Sequence, residues 1–153
     1  MKRYPIFFLF LLFLSASCKT KDKQIARSEN NIDAARNFIR AALDGKFNEA
    51  RSYMLNDSIN TNYMDVAERS YQRADPAVKN GYLNSTIRIL NSPLADLNDS
   101  TSIIIFSNSF KNDPDTLRVM RIKGEWLVDL KYLYEHDADS LQHKPNIVND
   151  SLK

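Results

Sequence analysis

The order of periodicities along this chain predicts an α+β domain. Residues 31 to 82 carry apolar side chains at helical spacing, and residues 86 to 133 alternate as strands do. Helices that all precede the strands segregate to one face of an antiparallel sheet, instead of forming parallel crossovers. The expected architecture is N-terminal helices packed on a curved antiparallel four-stranded sheet.

The first helix is expected from Asn31 to Leu43. Asn30 or Asn31 caps it, and Ile32, Ala35, Phe38, Ile39, Ala42 and Leu43 recur along one stripe. Asp44-Gly45 breaks it, glycine being the usual residue just past a helix end. A second helix is read over Phe47 to Leu55, with Phe47, Ala50, Tyr53 and Met54 on one side. Asn56-Asp57-Ser58 forms a turn and N-cap for a third helix from Asn60 to Arg73. That helix stops before Asp75-Pro76, because the residue preceding a proline avoids the α region. Pro76 starts a last helical turn through Ala77 to Tyr82.

Past Gly81 the pattern turns to β. Thr86 to Leu90 alternates around Ile87 and Ile89. Thr101 to Phe110 is β-branched and aromatic, bounded by Asn98-Asp99 and Asn112-Asp113-Pro114. Thr116 to Lys123 and Glu125 to Leu133 complete the set, joined at Lys123-Gly124 by a tight hairpin. In the last strand Trp126, Val128, Leu130 and Tyr132 share a face, so Asp129 and Lys131 are expected in solvent. The third strand changes phase from Leu117 and Val119 to Met120 and Ile122, which predicts a β-bulge. Ile104 and Phe106 lie opposite Ile103 and Ile105, which predicts cover on both sides of the second strand.

The flanks have a different character. Lys2 and Arg3 precede an unbroken apolar run of nine residues, Ile6 to Leu14. That is too short to span a bilayer core, which needs about 20 helical residues, and fits a signal h-region. Leu14-Ser15-Ala16-Ser17-Cys18 then resembles the lipobox of bacterial lipoproteins, in which the cysteine is lipidated and the peptide before it removed. Ser15 stands where that motif most often has leucine. An ordinary secretory signal with an A-x-A-like cut site and a free cysteine is the alternative. The lipoprotein resemblance implies a membrane anchor at Cys18, with palmitate-type chains on its sulfur and new amino end. Two or more such chains hold a protein firmly where one does not. It also implies that the chain's single cysteine is consumed, leaving no disulfide, thiol nucleophile or thiolate metal site.

Four segments follow: a signal at 1–17, a lipidated tether at 18–29, a domain at 30–135 and a mobile tail at 136–153. Cleavage before Cys18 removes two of the 21 Lys and Arg, leaving 19 against 19 Asp and Glu. A neutral mature protein gives no electrostatic case for nucleic acid as a partner. Residues 19–28 are charged and aperiodic, a spacer between lipid and domain whose lysines are also able to touch anionic headgroups. In the lipoprotein reading, Lys19 in place of an aspartate after the cysteine lacks the familiar inner-membrane retention signal. The basic run Lys19-Thr20-Lys21-Asp22-Lys23 lacks the acidic start of surface-displayed lipoproteins. The expected placement is the outer membrane, facing the periplasm.

The helices, the break and the closing Gly-x-Trp hairpin together resemble the NTF2-like or cystatin-like superfamily, in which a curved sheet wraps a helix as a cone. Phe38 to Ala50 (FIRAALDGKFNEA) and Lys123 to Val128 (KGEWLV) are similar to the corresponding segments of DUF4878-type lipoproteins of Bacteroidota. The resemblance covers residues 30 to 133 and implies an architecture more than a chemistry. It also implies a cavity in some members and homodimers through the sheet face in others.

Each candidate site also has a plain structural role open to it. Tyr63, Met64, Tyr71, Ile105, Phe106 and Trp126 are the candidate lining of a small-molecule pocket, with core filling as the favoured reading. Asp65 and Asp129 with Tyr63 and Tyr71 are the candidates for an isomerase- or hydro-lyase-like acid/base set. Both histidines, His136 and His143, fall in the tail, and no spacing of metal ligands or cofactor motif appears, so neither metal nor cofactor is expected. Five Asp-Ser/Thr-apolar triplets resemble the O-glycosylation sequon of Bacteroidota, with Ser58, Ser100, Ser140 and Ser151 in turns or tail and Thr116 at a strand start. Turns and helix caps also favour Asp-Ser. The sequence-level reading is a membrane-anchored, non-catalytic binding module for a small ligand or an envelope partner. An enzyme, or a structural component without a pocket, are its alternatives.

Overall fold

Side-chain caps fix where the two longest helices begin in the computed structural model, which describes residues 26–90 and 96–133. The Asn30 side chain accepts the Asp33 amide at 2.9 Å and opens α1 (Asn31–Leu43). At the other end the Gly45 amide reaches the Ala42 carbonyl and the Lys46 amide the Ala41 carbonyl. These are the paired bonds of a Schellman turn, made with the left-handed φ of +72° that Gly45 supplies. Ala34, Ala35, Phe38, Ile39 and Ala41 form the buried face of α1. Ile32 lies on the same stripe by spacing but is 42 % exposed on the first turn.

Helix α2 (Phe47–Arg51) is shorter than its periodicity predicts. Tyr53 and Leu55 are diverted into extended pairing: the Val128 amide donates to the Tyr53 carbonyl at 2.8 Å, and the Leu55 amide to the Val128 carbonyl at 2.9 Å. Those bonds cover a sheet edge that would otherwise be open to other chains. Helix α3 (Ser58–Arg73) begins two residues before its expected start, since Asp57 accepts the amides of both Ile59 and Asn60. Helix α4 (Pro76–Leu83) has proline in its first turn, where no amide is needed.

The sheet is antiparallel, with β1 (Ile87–Leu90), β3 (Thr101–Asn108), β4 (Asp115–Ile122) and β5 (Glu125–Asp129) in that spatial order. A three-residue strand, β2 (Asp96–Asn98), makes it five-stranded and shares one edge of β3 with β1. Helix α1 packs across the face that carries Ile104, Leu117, Val119 and Val128. Lys123 and Gly124, at φ of 52° and 86°, turn β4 into β5 as a two-residue hairpin of the primed type.

Three expectations are corrected here. No bulge interrupts β4, whose register with β3 and with β5 is continuous; Met120 and Ile122 simply face the side away from α1. The irregularity lies instead between β2 and β3, at Asp96 and Asn98. Strand β5 ends at Asp129, four residues early, because the Leu130 amide bonds the Asn60 side chain at 2.7 Å and the chain turns away. Tyr132 therefore leaves the face of Trp126 and Val128 and stacks on Arg118, 5.4 Å from its ring centre.

The third correction concerns Asp129, expected in solvent and found 1 % exposed. Arg118 binds it through Nε at 3.1 Å and through a terminal nitrogen at 2.6 Å. Asn60, itself fully buried, donates to it at 3.3 Å, and the Lys131 amide adds a bond at 3.2 Å. A buried carboxylate is tolerated only when paired and bonded in this way. The candidate lipidation residue Cys18, the candidate glycosylation residues Ser140 and Ser151, and both histidines lie outside the described residues.

Candidate functional site

A cavity of about 410 Å³ opens between the helices and the α1-facing side of the sheet. Phe38, Ile39, Ala42 and Leu43 of α1 form one wall, with Phe47 of α2 beside them. Ala67, Ser70 and Tyr71 of α3, Ala74 just past its end, and Val78 and Tyr82 of α4 form the second. Phe106, Asn108, Asp115 and Leu117 line the sheet side, with Leu133 and Lys111 completing the boundary. The volume is within the range of about 300 to 1,000 Å³ usual for small-ligand sites, and the lining is mostly apolar, as in such sites.

Close approaches shape this lining. Tyr71 meets Phe47 edge to face, with ring centres 5.4 Å apart. A Cβ on Gly45 would sit 2.7 Å from the Tyr71 ring, so the residue that ends α1 also makes room for a cavity wall. Gly81 does the same on α4, where an added Cβ would come within 2.3 Å of the Phe110 ring. Phe110 in turn packs edge to face on Tyr82 at 5.1 Å. Arg40 holds α4 in place: its guanidinium donates to the carbonyls of Ser85 at 2.7 Å and Tyr82 at 3.1 Å. Asp44 fixes that guanidinium through Nε at 2.8 Å. On the α2–α3 side, Arg51 bridges Asp65 at 2.6 Å and Glu68 at 2.8 Å.

Of the six candidate lining residues, Tyr71 and Phe106 border the cavity. Met64 is buried in the core, and Tyr63 packs against it partly exposed. Ile105 is corrected to the opposite face of the sheet, since its neighbours Ile104 and Phe106 face α1. Trp126 borders a separate cleft of about 210 Å³ with Arg27 and Tyr53. The acid/base candidates do not converge. Asp65 is paired with Arg51, Asp129 with Arg118 on the far face, and Tyr71 stands against Gly45.

Ser58 is the first residue of α3, and the Asp57 before it is committed to capping, which accounts for that triplet. Ser100 is exposed in the turn between β2 and β3. Sequence reasoning missed Val78, Tyr82 and Lys111. Helix α4 buries no residue, so no amphipathic stripe pointed to it.

The chain matches no family model, no curated protein and no solved structure.

Proposed function

We propose that this chain is a membrane-anchored envelope lipoprotein whose domain is a non-catalytic binding module for a small apolar ligand. The cavity between α1, α3, α4 and the sheet carries this reading, being the size of a ligand site and lined mainly by aliphatic and aromatic side chains. In the same reading the domain is of the NTF2-like class and resembles DUF4878-type lipoproteins. Helices packed on one face of an antiparallel sheet support that assignment.

A neutral fluorescent naphthylamine tests the binding reading. It is expected to brighten and saturate with the wild-type domain, and to lose that response in Ala67→Phe and Ala74→Phe, which fill the cavity from α3 and from the residue that follows it. A saturating response unchanged in both folded variants would place binding elsewhere and sink the proposal.

The anchor is proposed at Cys18, with the domain held on the outer membrane and facing the periplasm. Metabolic labelling with an alkyne fatty acid is expected to mark the protein, and Cys18→Ser to abolish the label. Digestion of the domain by protease added to intact cells would contradict the periplasmic placement.

A further inference from the structure

We infer that the cavity takes a single-headed amphiphile, an alkyl or aryl body with a carboxylate-type anionic head, and that Lys111 at its mouth pairs with that head. The inference rests on the binding reading above and adds the chemistry of the ligand.

Most of the walls suit an apolar body, with Ser70, Tyr71, Tyr82 and Asn108 adding only neutral polar groups. Phe38, Ile39, Leu43, Val78 and Leu117 offer no hydrogen bonds, so a charged group placed among them would be left desolvated and unpaired. The head must then lie at the boundary, where Lys111 and Asp115 are the charged residues. These two are not equivalent. Asp115 is engaged, accepting the Thr116 amide at 2.7 Å. Lys111 is exposed, and its ammonium forms no ion pair among the described residues. It lies 6.0 Å from the ring centre of Tyr82, a wall residue, so the charge is held at the cavity and not extended away from it.

Other lysines near these elements are already occupied. Lys46 pairs with Asp44 at 2.7 Å, and Lys131 with Asp57 at 3.2 Å. Lys79 donates to the Gln72 carbonyl at 2.8 Å while standing 5.8 Å from the ring centre of Tyr71, which adds positive charge on the same side. Among the described residues that line the cavity, Lys111 is thus the cation positioned to pair with an anionic head.

Calorimetric titration with decanoate, decanol and decylamine separates head from body. Wild-type protein is expected to bind decanoate about fivefold more tightly than decanol, the scale of a partly exposed ion pair, with the preference shrinking as salt is raised. Lys111→Gln is expected to erase that preference by weakening decanoate more than decanol, with a wild-type circular dichroism spectrum showing that the variant is folded. Shortening the carboxylate is expected to weaken binding about fourfold per methylene removed.

Equal affinity for decanoate and decanol in the wild type would overturn the head assignment, as would a preference that survives Lys111→Gln. Tighter binding of decylamine would assign the head to Asp115 instead, also overturning it. In those three cases the cavity reading stands. Failure of all three probes, decanol included, or affinity independent of chain length, would remove the cavity reading as well.

Discussion

Gly45 combines two roles that exclude every residue with a side chain. Its φ of +72° closes the Schellman turn, and its missing Cβ admits the Tyr71 ring. Gly124 shares the positive φ, at +86°, but an added Cβ there meets nothing within 4 Å. Both alanine substitutions incur backbone strain of about 1–2 kcal/mol, and only Gly45→Ala adds a clash. Denaturant unfolding is therefore expected to rank Gly45→Ala as clearly the more destabilising, and equal losses would show that Tyr71 yields without cost. Asp57 carries the pH dependence at this scale. The Asn60 amide, then the Asn60 side chain and Lys131, hold its carboxyl down from 3.8 to about 2. A carboxyl lowered on folding stabilises fully above its unfolded value and loses that contribution as pH falls through its folded one. Stability is expected to drop between about pH 4 and pH 2. Asp57→Asn keeps an acceptor for the cap but cannot titrate, so its acid limb over that interval is expected to be shallower. The break at Asp44-Gly45 and the cap at Asn56-Asp57-Ser58 were legible in the sequence because both rest on local backbone chemistry.

Strand β5 shows where elements stop being legible. Alternation correctly put Trp126 and Val128 on one face, but it extended the strand to Leu133 and left Asp129 in solvent. What ends the strand is Asn60, 69 residues away from Asp129 in sequence, whose amide side chain serves Asp57, Asp129 and the Leu130 amide together. No local pattern encodes a partner at that distance. The same limit explains α2, cut short by pairing of Tyr53 and Leu55 with Val128. The buried carboxylate gives this latch its energetic weight. Arg118→Ala is expected to cost about 3 kcal/mol, much of it from leaving the buried Asp129 charge with only the more distant Lys131 ammonium, at 3.8 Å, as its counter-charge. Adding Asp129→Asn removes the charge, so the double variant is expected to lose less than the single one. Thermal unfolding of both checks this, and a double variant at least as unstable as Arg118→Ala would mean that the carboxylate's bonds to Asn60 and Lys131 dominate.

At the scale of the molecule, helices before strands sufficed to read the α+β architecture, because segregation of elements follows from their order along the chain. The cavity was only half visible, through Tyr71 and Phe106, because α4 reaches it without an apolar stripe of its own. That helix buries no residue, and Arg40 of α1 supplies much of its attachment by binding the carbonyls of Tyr82 and Ser85. A wall with no buried residue, tied by this guanidinium and by Phe110 packed on Gly81 and Tyr82, has few buried contacts to hold it when the sheet beneath stays folded. Arg40→Ala is thus expected to speed amide exchange over residues 76–83 while leaving β3 and β4 protected. It is also expected to weaken the neutral naphthylamine response, since Val78 and Tyr82 would no longer close the cavity. Hydrogen exchange read by mass spectrometry checks both regions in one experiment. Faster exchange throughout the sheet would show that α4 and the sheet unfold together, and that the cavity wall is part of the cooperative core.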